Sequence, residues 1–187
     1  MKVLFLDHDG VICLLKQWGK RLTAKAKRRG DIFDPFCKKA VVVLNRIIQE
    51  TDCTIVCSST WRESCDIEYM QSMFEERGVL KSPEYYTPIM DMSEKDFIEV
   101  DDASRKSWFN LQSRSEIVQA VCRNKEVVAW IKDFGEDNIT SWVAVDDLPM
   151  FELGENFVHT PLDTEGIKQC GIADKIIKIL NNTKENE

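Results

Sequence analysis

Short apolar runs, each ending in polar residues, recur along the chain. Val3-Leu4-Phe5-Leu6, Thr54-Ile55-Val56-Cys57 and Trp142-Val143-Ala144-Val145 are the clearest. Runs of this length, rich in β-branched residues and flanked by helical periodicity, are those of buried parallel strands. They predict strands at 2–6, 54–57 and 142–145, with shorter ones at Tyr85-Tyr86 and Phe157-Val158. Between them, Val41, Leu44, Ile47 and Ile48 form an apolar stripe, predicting a helix from Asp34 or Pro35 to Gln49. Further helices are expected from about Arg62 to Arg77, from Ser115 to Phe134 with a break near Arg123-Asn124, and over 168–180. Gly78 and Gly135 serve as stop signals. This alternation predicts an α/β protein: a Rossmann-like parallel sheet with helices on both faces.

The residues that end the three clear strands carry the chemistry. The first run leads into Asp7-His8-Asp9-Gly10-Val11, the second into Ser58-Ser59-Thr60, the third into Asp146-Asp147. On a strand, residues i and i+2 point the same way, so Asp7 and Asp9 share a side. A parallel strand delivers such residues to the crevice where α/β proteins bind ligands. Of two neighbouring carboxylates, one can attack or bind a metal while the other handles a proton, provided their environments separate their pKa values. Gly10 suits a tight turn beneath a ligand.

This order, two acids with a glycine, strand-terminal hydroxyls, a basic residue on a helix and a strand-terminal acidic pair, resembles the haloacid dehalogenase (HAD) superfamily of phosphohydrolases. The likeness extends to Phe33-Asp34-Pro35, Ser58-Ser59-Thr60-Trp61-Arg62, the stretch from Arg123 to Ile131, and Thr160-Pro161-Leu162-Asp163-Thr164-Glu165-Gly166. It is similar to the small HAD domains grouped with nucleic-acid end-repair phosphatases, with small cap or flap insertions, and covers most of residues 1–180. The resemblance implies Asp7 as a nucleophile forming an aspartyl-phosphate and Asp9 as general acid and base. It implies Mg²⁺ held by the side chain of Asp7, the backbone carbonyl of Asp9, and Asp146 or Asp147. Ser58 is expected to hydrogen-bond the phosphoryl oxygens, with Ser59 as its rival. Arg123 is the expected phosphoryl-binding base, Lys125 the second choice and Arg114 the third. Arg62 has two readings, a phosphate contact or an ion pair with an acid. His8 is expected to be structural or a substrate contact, and His159 is given no catalytic role.

Composition adds bounds. The chain has 187 residues, 43% hydrophobic and 30% charged, which fits one soluble domain over 1–180 with a frayed tail at 181–187. Its seven cysteines form no Cys-x-x-Cys and no zinc spacing, as expected of free thiols in the cytoplasm. No apolar stretch has the length of a membrane span, and no obligate protein partner is evident. Net charge is −7, unlike a nucleic-acid coat protein, yet charge is unevenly placed. Lys16, Lys20, Arg21, Lys25, Lys27, Arg28 and Arg29 lie without an intervening acid inside a flap expected at about 12–33. Asp91, Glu94, Asp96, Glu99, Asp101 and Asp102 make an acidic segment in a small insertion expected at about 91–112.

The expected activity is therefore Mg²⁺-dependent phosphomonoester hydrolysis, on a nucleotide or a nucleic-acid terminal phosphate. A receiver-like phospho-signalling domain or a catalytically silent HAD-like binding module are the alternatives.

Overall fold

The computed structural model describes residues 1–90 and 114–182. The expected insertion at 91–112, with its acidic segment, and residues 183–187 of the expected tail lie outside the described residues.

Five parallel strands form one sheet, in the order β3-β2-β1-β4-β5. They are β1 (Lys2–Leu6), β2 (Thr54–Cys57), β3 (Tyr85–Tyr86), β4 (Ser141–Asp146) and β5 (Phe157–His159). β1 is central, with Leu6 beside Cys57 on one side and Val145 on the other. After β1 the chain builds outward to β2 and β3, then returns to place β4 on β1's opposite side. Strand order reverses there, and the crevice beyond the carboxyl ends of β1 and β4 is where such sheets bind ligands.

Both faces of the sheet are covered. Leu4, Leu6, Ile55, Cys57, Val143 and Val145 pack against Leu44 and Ile47 of α2 (Lys38–Thr51), Met70 and Phe74 of α3 (Ile67–Glu76), and Ile176 and Leu180 of α5 (Ile172–Asn181). Val3, Phe5, Val56 and Ala144 face the other way, onto Ala120, Val127, Trp130 and Ile131 of α4 (Arg114–Phe134). Alternation along each strand thus feeds two apolar layers, which is why the strands read as continuous hydrophobic runs. Phe5 is fully buried, edge-on to Trp130 at 5.3 Å and to Trp142 at 6.0 Å.

Several boundaries differ from expectation. α2 starts at Lys38, because Asp34 is committed elsewhere: its buried carboxylate accepts from Gly19 N, Arg21 N and the Arg21 guanidinium. The segment after Thr60 is first a 3-10 helix, Thr60–Glu63, and α3 begins only after Asp66, whose side chain accepts from Tyr69 N at 2.8 Å. α4 runs unbroken through Arg123-Asn124. α5 opens at Ile172 after Gly171, which has φ +81°, and Asn181 still belongs to it. Between β1 and α2, where the flap is expected, lie two 3-10 turns and the short helix α1 (Ala24–Arg29).

Phe5→Ala should destabilise the protein by about 3–5 kcal/mol, since it removes an aromatic ring from a closed layer. Val42→Ala, on the exposed side of α2, should stay within about 0.5 kcal/mol. Urea unfolding compares the two, and equal effects would contradict this packing.

Candidate active site

Asp7 extends β1 by one residue, its N–H donating to Val145 O at 3.1 Å. The chain then folds tightly: the carbonyl of His8 accepts from the backbone N–H groups of Val11, Ile12 and Cys13. Gly10 has φ +70°, and a Cβ there would lie 2.2 Å from Asp147 Oδ2. Glycine is therefore required twice over, for the turn and for the approach of the acid.

Ligand atoms of Asp7, Asp146 and Asp147 all lie within 4.8 Å of one another. Asp7 and Asp146 are buried. Arg123, also buried, donates from one nitrogen to Asp7 Oδ1 at 2.9 Å and to Asp146 Oδ2 at 2.8 Å. Burial opposes its charge, but Asp146 and Asp7 outweigh that and raise its pKa. The three carboxylates exceed what one guanidinium balances. Burial pushes Asp146 and Asp147 up; Asp7 adds to this in both, while Arg123 opposes it. Clustered hard oxygen donors with surplus negative charge fit a divalent cation such as Mg²⁺.

Asp9 is placed differently. Its carboxylate is not among the clustered donors, because its Oδ2 accepts from Trp61 Nε1 at 2.7 Å. Burial raises its pKa, and the hydrogen bond from Trp61 opposes this. The Asp9 side chain is therefore tied to Trp61 and does not join the three clustered acids.

The two serines separate. Ser59 Oγ accepts from Trp61 N at 3.5 Å and caps the 3-10 helix, the local role that serine favours. Ser58 is buried, and its hydroxyl has no hydrogen-bond partner among the described residues. An orphaned buried hydroxyl at the end of β2 is a donor for an incoming oxygen. Lys125 is two residues from Arg123 on α4, and positions so spaced do not share a helix face. Arg114 opens the same helix, and its side chain is outside what is described.

Arg62 takes the second of its two readings. It pairs with Glu126 Oε2 at 2.6 Å and donates to the carbonyls of Ser59, Thr87 and Pro88. Its donors are spent tying the β2 and β3 loops to α4. His8 points away from the acids, fully buried among Phe36, Trp61 and Phe74. Burial first, then Arg77, Arg123 and Arg62, keep it neutral by lowering its pKa.

Sequence reasoning gave no role to Glu126, Trp61 or Thr160. Glu126 braces Arg62 and lies 3.9 Å from Arg123 Nε; its i+3 spacing from Arg123 on a helix was the available signal. The Thr160 hydroxyl is buried without a partner among the described residues, next to the backbone of Asp146 that Thr160 N contacts at 2.9 Å. His159 Nε2 lies 2.8 Å from Asp147 O, which fixes the loop behind the acid.

Fold and site together define an α/β domain with an acidic, arginine-braced centre at the switch point of its sheet. The chain belongs to the family described as the HAD domain in Swiss Army Knife RNA repair proteins, which it matches over residues 3–169. No curated protein and no solved structure matches it significantly.

Acids whose pKa is raised by folding make the native state bind more protons than the unfolded one, so stability falls as pH rises above the ordinary carboxylate range. Without metal, the melting temperature should therefore fall between about pH 5 and pH 8. Mg²⁺ should raise it, and more so at the higher pH, because ligation needs the deprotonated carboxylates. Differential scanning fluorimetry with and without Mg²⁺ reads this directly. A shift that is independent of pH, or absent, would remove the metal from this cluster.

Proposed function

We propose that the chain is a Mg²⁺-dependent phosphomonoester hydrolase acting through an aspartyl-phosphate on Asp7. The observation that carries this is the convergence of Asp7, Asp146, Asp147, Arg123 and the Ser58 hydroxyl, unpartnered among the described residues, at the carboxyl ends of adjacent strands. The Asp7 carboxylate attacks phosphorus, and the phosphoryl group is transferred to it. Asp9 supplies the proton to the leaving oxygen and later takes one from the attacking water. Arg123 and the Ser58 hydroxyl meet the charge on the transferred group. When bound, Mg²⁺ offsets the repulsion between these carboxylates and the phosphate. Arg123 beside Asp7 supports an active centre over a silent binding module.

The proposed substrate is a terminal phosphate on a nucleic acid, with a free nucleotide as the smaller member of the same class. Two features support the choice. The matched family is named for RNA repair proteins. The flap also joins the nucleophile loop: Cys13 O accepts both Gly10 N at 3.0 Å and Trp18 Nε1 at 3.2 Å. Along this segment Trp18 is 44% exposed, and Lys16, Lys20, Lys25, Lys27 and Arg28 are exposed and make no ion pair among the described residues. Arg21 pairs with Asp34, and Arg29 with Asp31. Such a surface beside an acidic centre attracts the polyanion while the metal receives its end.

Asp7→Asn should reduce phosphate release below about 1% of wild type while circular dichroism shows the fold retained. More activity than that would exclude Asp7 as nucleophile, and stable phosphorylation of wild-type Asp7 without turnover would favour a receiver-like domain instead.

Reversing charge at Lys25, Lys27, Arg28 and Arg29 should raise KM on a phosphorylated oligonucleotide more than it lowers kcat, since these groups hold ground and transition states alike. The wild-type KM on the oligonucleotide should also climb steeply with salt. Unchanged KM in the quadruple variant would make the flap merely a solvated surface.

A further inference from the structure

We infer that Trp61 is a positioning residue for Asp9: its indole N–H holds the carboxylate through Oδ2 and leaves Oδ1 for the proton transfer. The inference rests on the reaction proposed above and assigns to one side chain the orientation of its acid.

Three observations carry it. First, Trp61 Nε1 donates to Asp9 Oδ2 at 2.7 Å, across 52 residues of sequence. An indole N–H only donates, and in a neutral acid the carbonyl oxygen is its better acceptor. With Oδ2 engaged by the indole, Oδ1 is the oxygen left to carry and transfer the proton. Second, the indole itself is held. Phe33 stacks on it with centroids 4.4 Å apart and planes 2° apart, Phe36 stacks at 5.9 Å, and the ring of His8 meets it edge-on at 5.0 Å. Third, its backbone is fixed by the loop that presents Ser58: Trp61 N donates to Ser59 Oγ, and Trp61 O receives the N–H of Ser64. The element that positions the phosphoryl-binding hydroxyl thus also positions the acid. Phe33 closes the flap, so the flap packs on the group that orients Asp9.

In the reaction, the bond between the Asp7 carboxylate and phosphorus forms as the bond to the leaving oxygen breaks. The proton on Asp9 Oδ1 passes to that oxygen, and Asp9 is left as a carboxylate. In the second half, Asp9 takes a proton from water as the water oxygen attacks phosphorus; inorganic phosphate departs and Asp7 is restored. The Trp61 N–H stays on Oδ2 throughout and is never transferred.

The test is Trp61→Phe, which keeps an aromatic ring in the stack and removes the donor. A poor leaving group needs a well-placed acid far more than a good one. On an alkyl phosphomonoester, kcat should fall about 10- to 100-fold, part of the 10²- to 10⁴-fold that a general acid supplies. On p-nitrophenyl phosphate the loss should be several-fold smaller. Asp9→Asn should show the same contrast more strongly, and adding Trp61→Phe to it should cost little more, as expected of groups acting as one unit. Equal losses on both phosphomonoesters, or none on either, would overturn the inference.

A second measurement needs no turnover. Of the five tryptophan indole N–H signals in an NMR spectrum, the one missing in Trp61→Phe should be protected from exchange and should shift in Asp9→Ala. An unshifted, rapidly exchanging signal would overturn the inference whatever the kinetics. Failure of the wild type to release phosphate from any phosphomonoester would instead overturn the proposed reaction itself.

Discussion

The buried guanidinium of Arg123, shared between Asp7 and Asp146, is the contact on which the centre depends. A charge removed from water must be paired, and pairing both acids through one nitrogen fixes the ends of β1 and β4 relative to α4. Glu126, one turn along the same helix, extends the hold. It takes Arg62, and Arg62 grips the carbonyls that follow β2 and β3. Two residues of one helix thereby bind the exits of four strands, and the acids, the hydroxyl and the base keep their mutual positions.

Close backbone approach makes room for this. Gly10 lets Asp147 come within a distance that any Cβ would forbid, and Gly166 does the same beneath the loop. A Cβ at Gly166 would lie 2.3 Å from Val11 O, and the next residue, Ile167, donates its N–H to that same carbonyl at 3.0 Å. The loop after β1 is thus approached closely at Gly10 by Asp147 and at Val11 by the turn after β5. Its own hydrogen bonds converge on the carbonyl of His8, whose ring fills the core instead of the site.

Charge is divided between two neighbouring regions. The centre gathers carboxylates beyond what Arg123 can neutralise, while the flap gathers cations beyond what Asp31 and Asp34 can. The first division favours a divalent cation, and the second favours a polyanionic ligand. Aromatic packing connects them, since Phe33 at the end of the flap lies flat on the indole that holds Asp9.

The sequence by itself determined the strands and the polar residues at their ends. Burial on both faces leaves an unmistakable apolar run, and a run must stop where polar residues meet the crevice, so 2–6, 54–57 and the acids and serines after them were legible. Helix starts were less so: Asp34 reads as a cap but is used by the flap, and Arg123-Asn124 reads as a break but lies within a continuous helix. Only the tertiary structure separated candidates that lie side by side in the sequence. Ser58 and Ser59 differ by one position of strand register, and Arg123 and Lys125 by two on a helix; in each case orientation is set by what the element packs against. The partners of Arg62 and Asp9, namely Glu126 and Trp61, are 64 and 52 residues away. Contacts of that span come from how the layers pack, and no local periodicity records them.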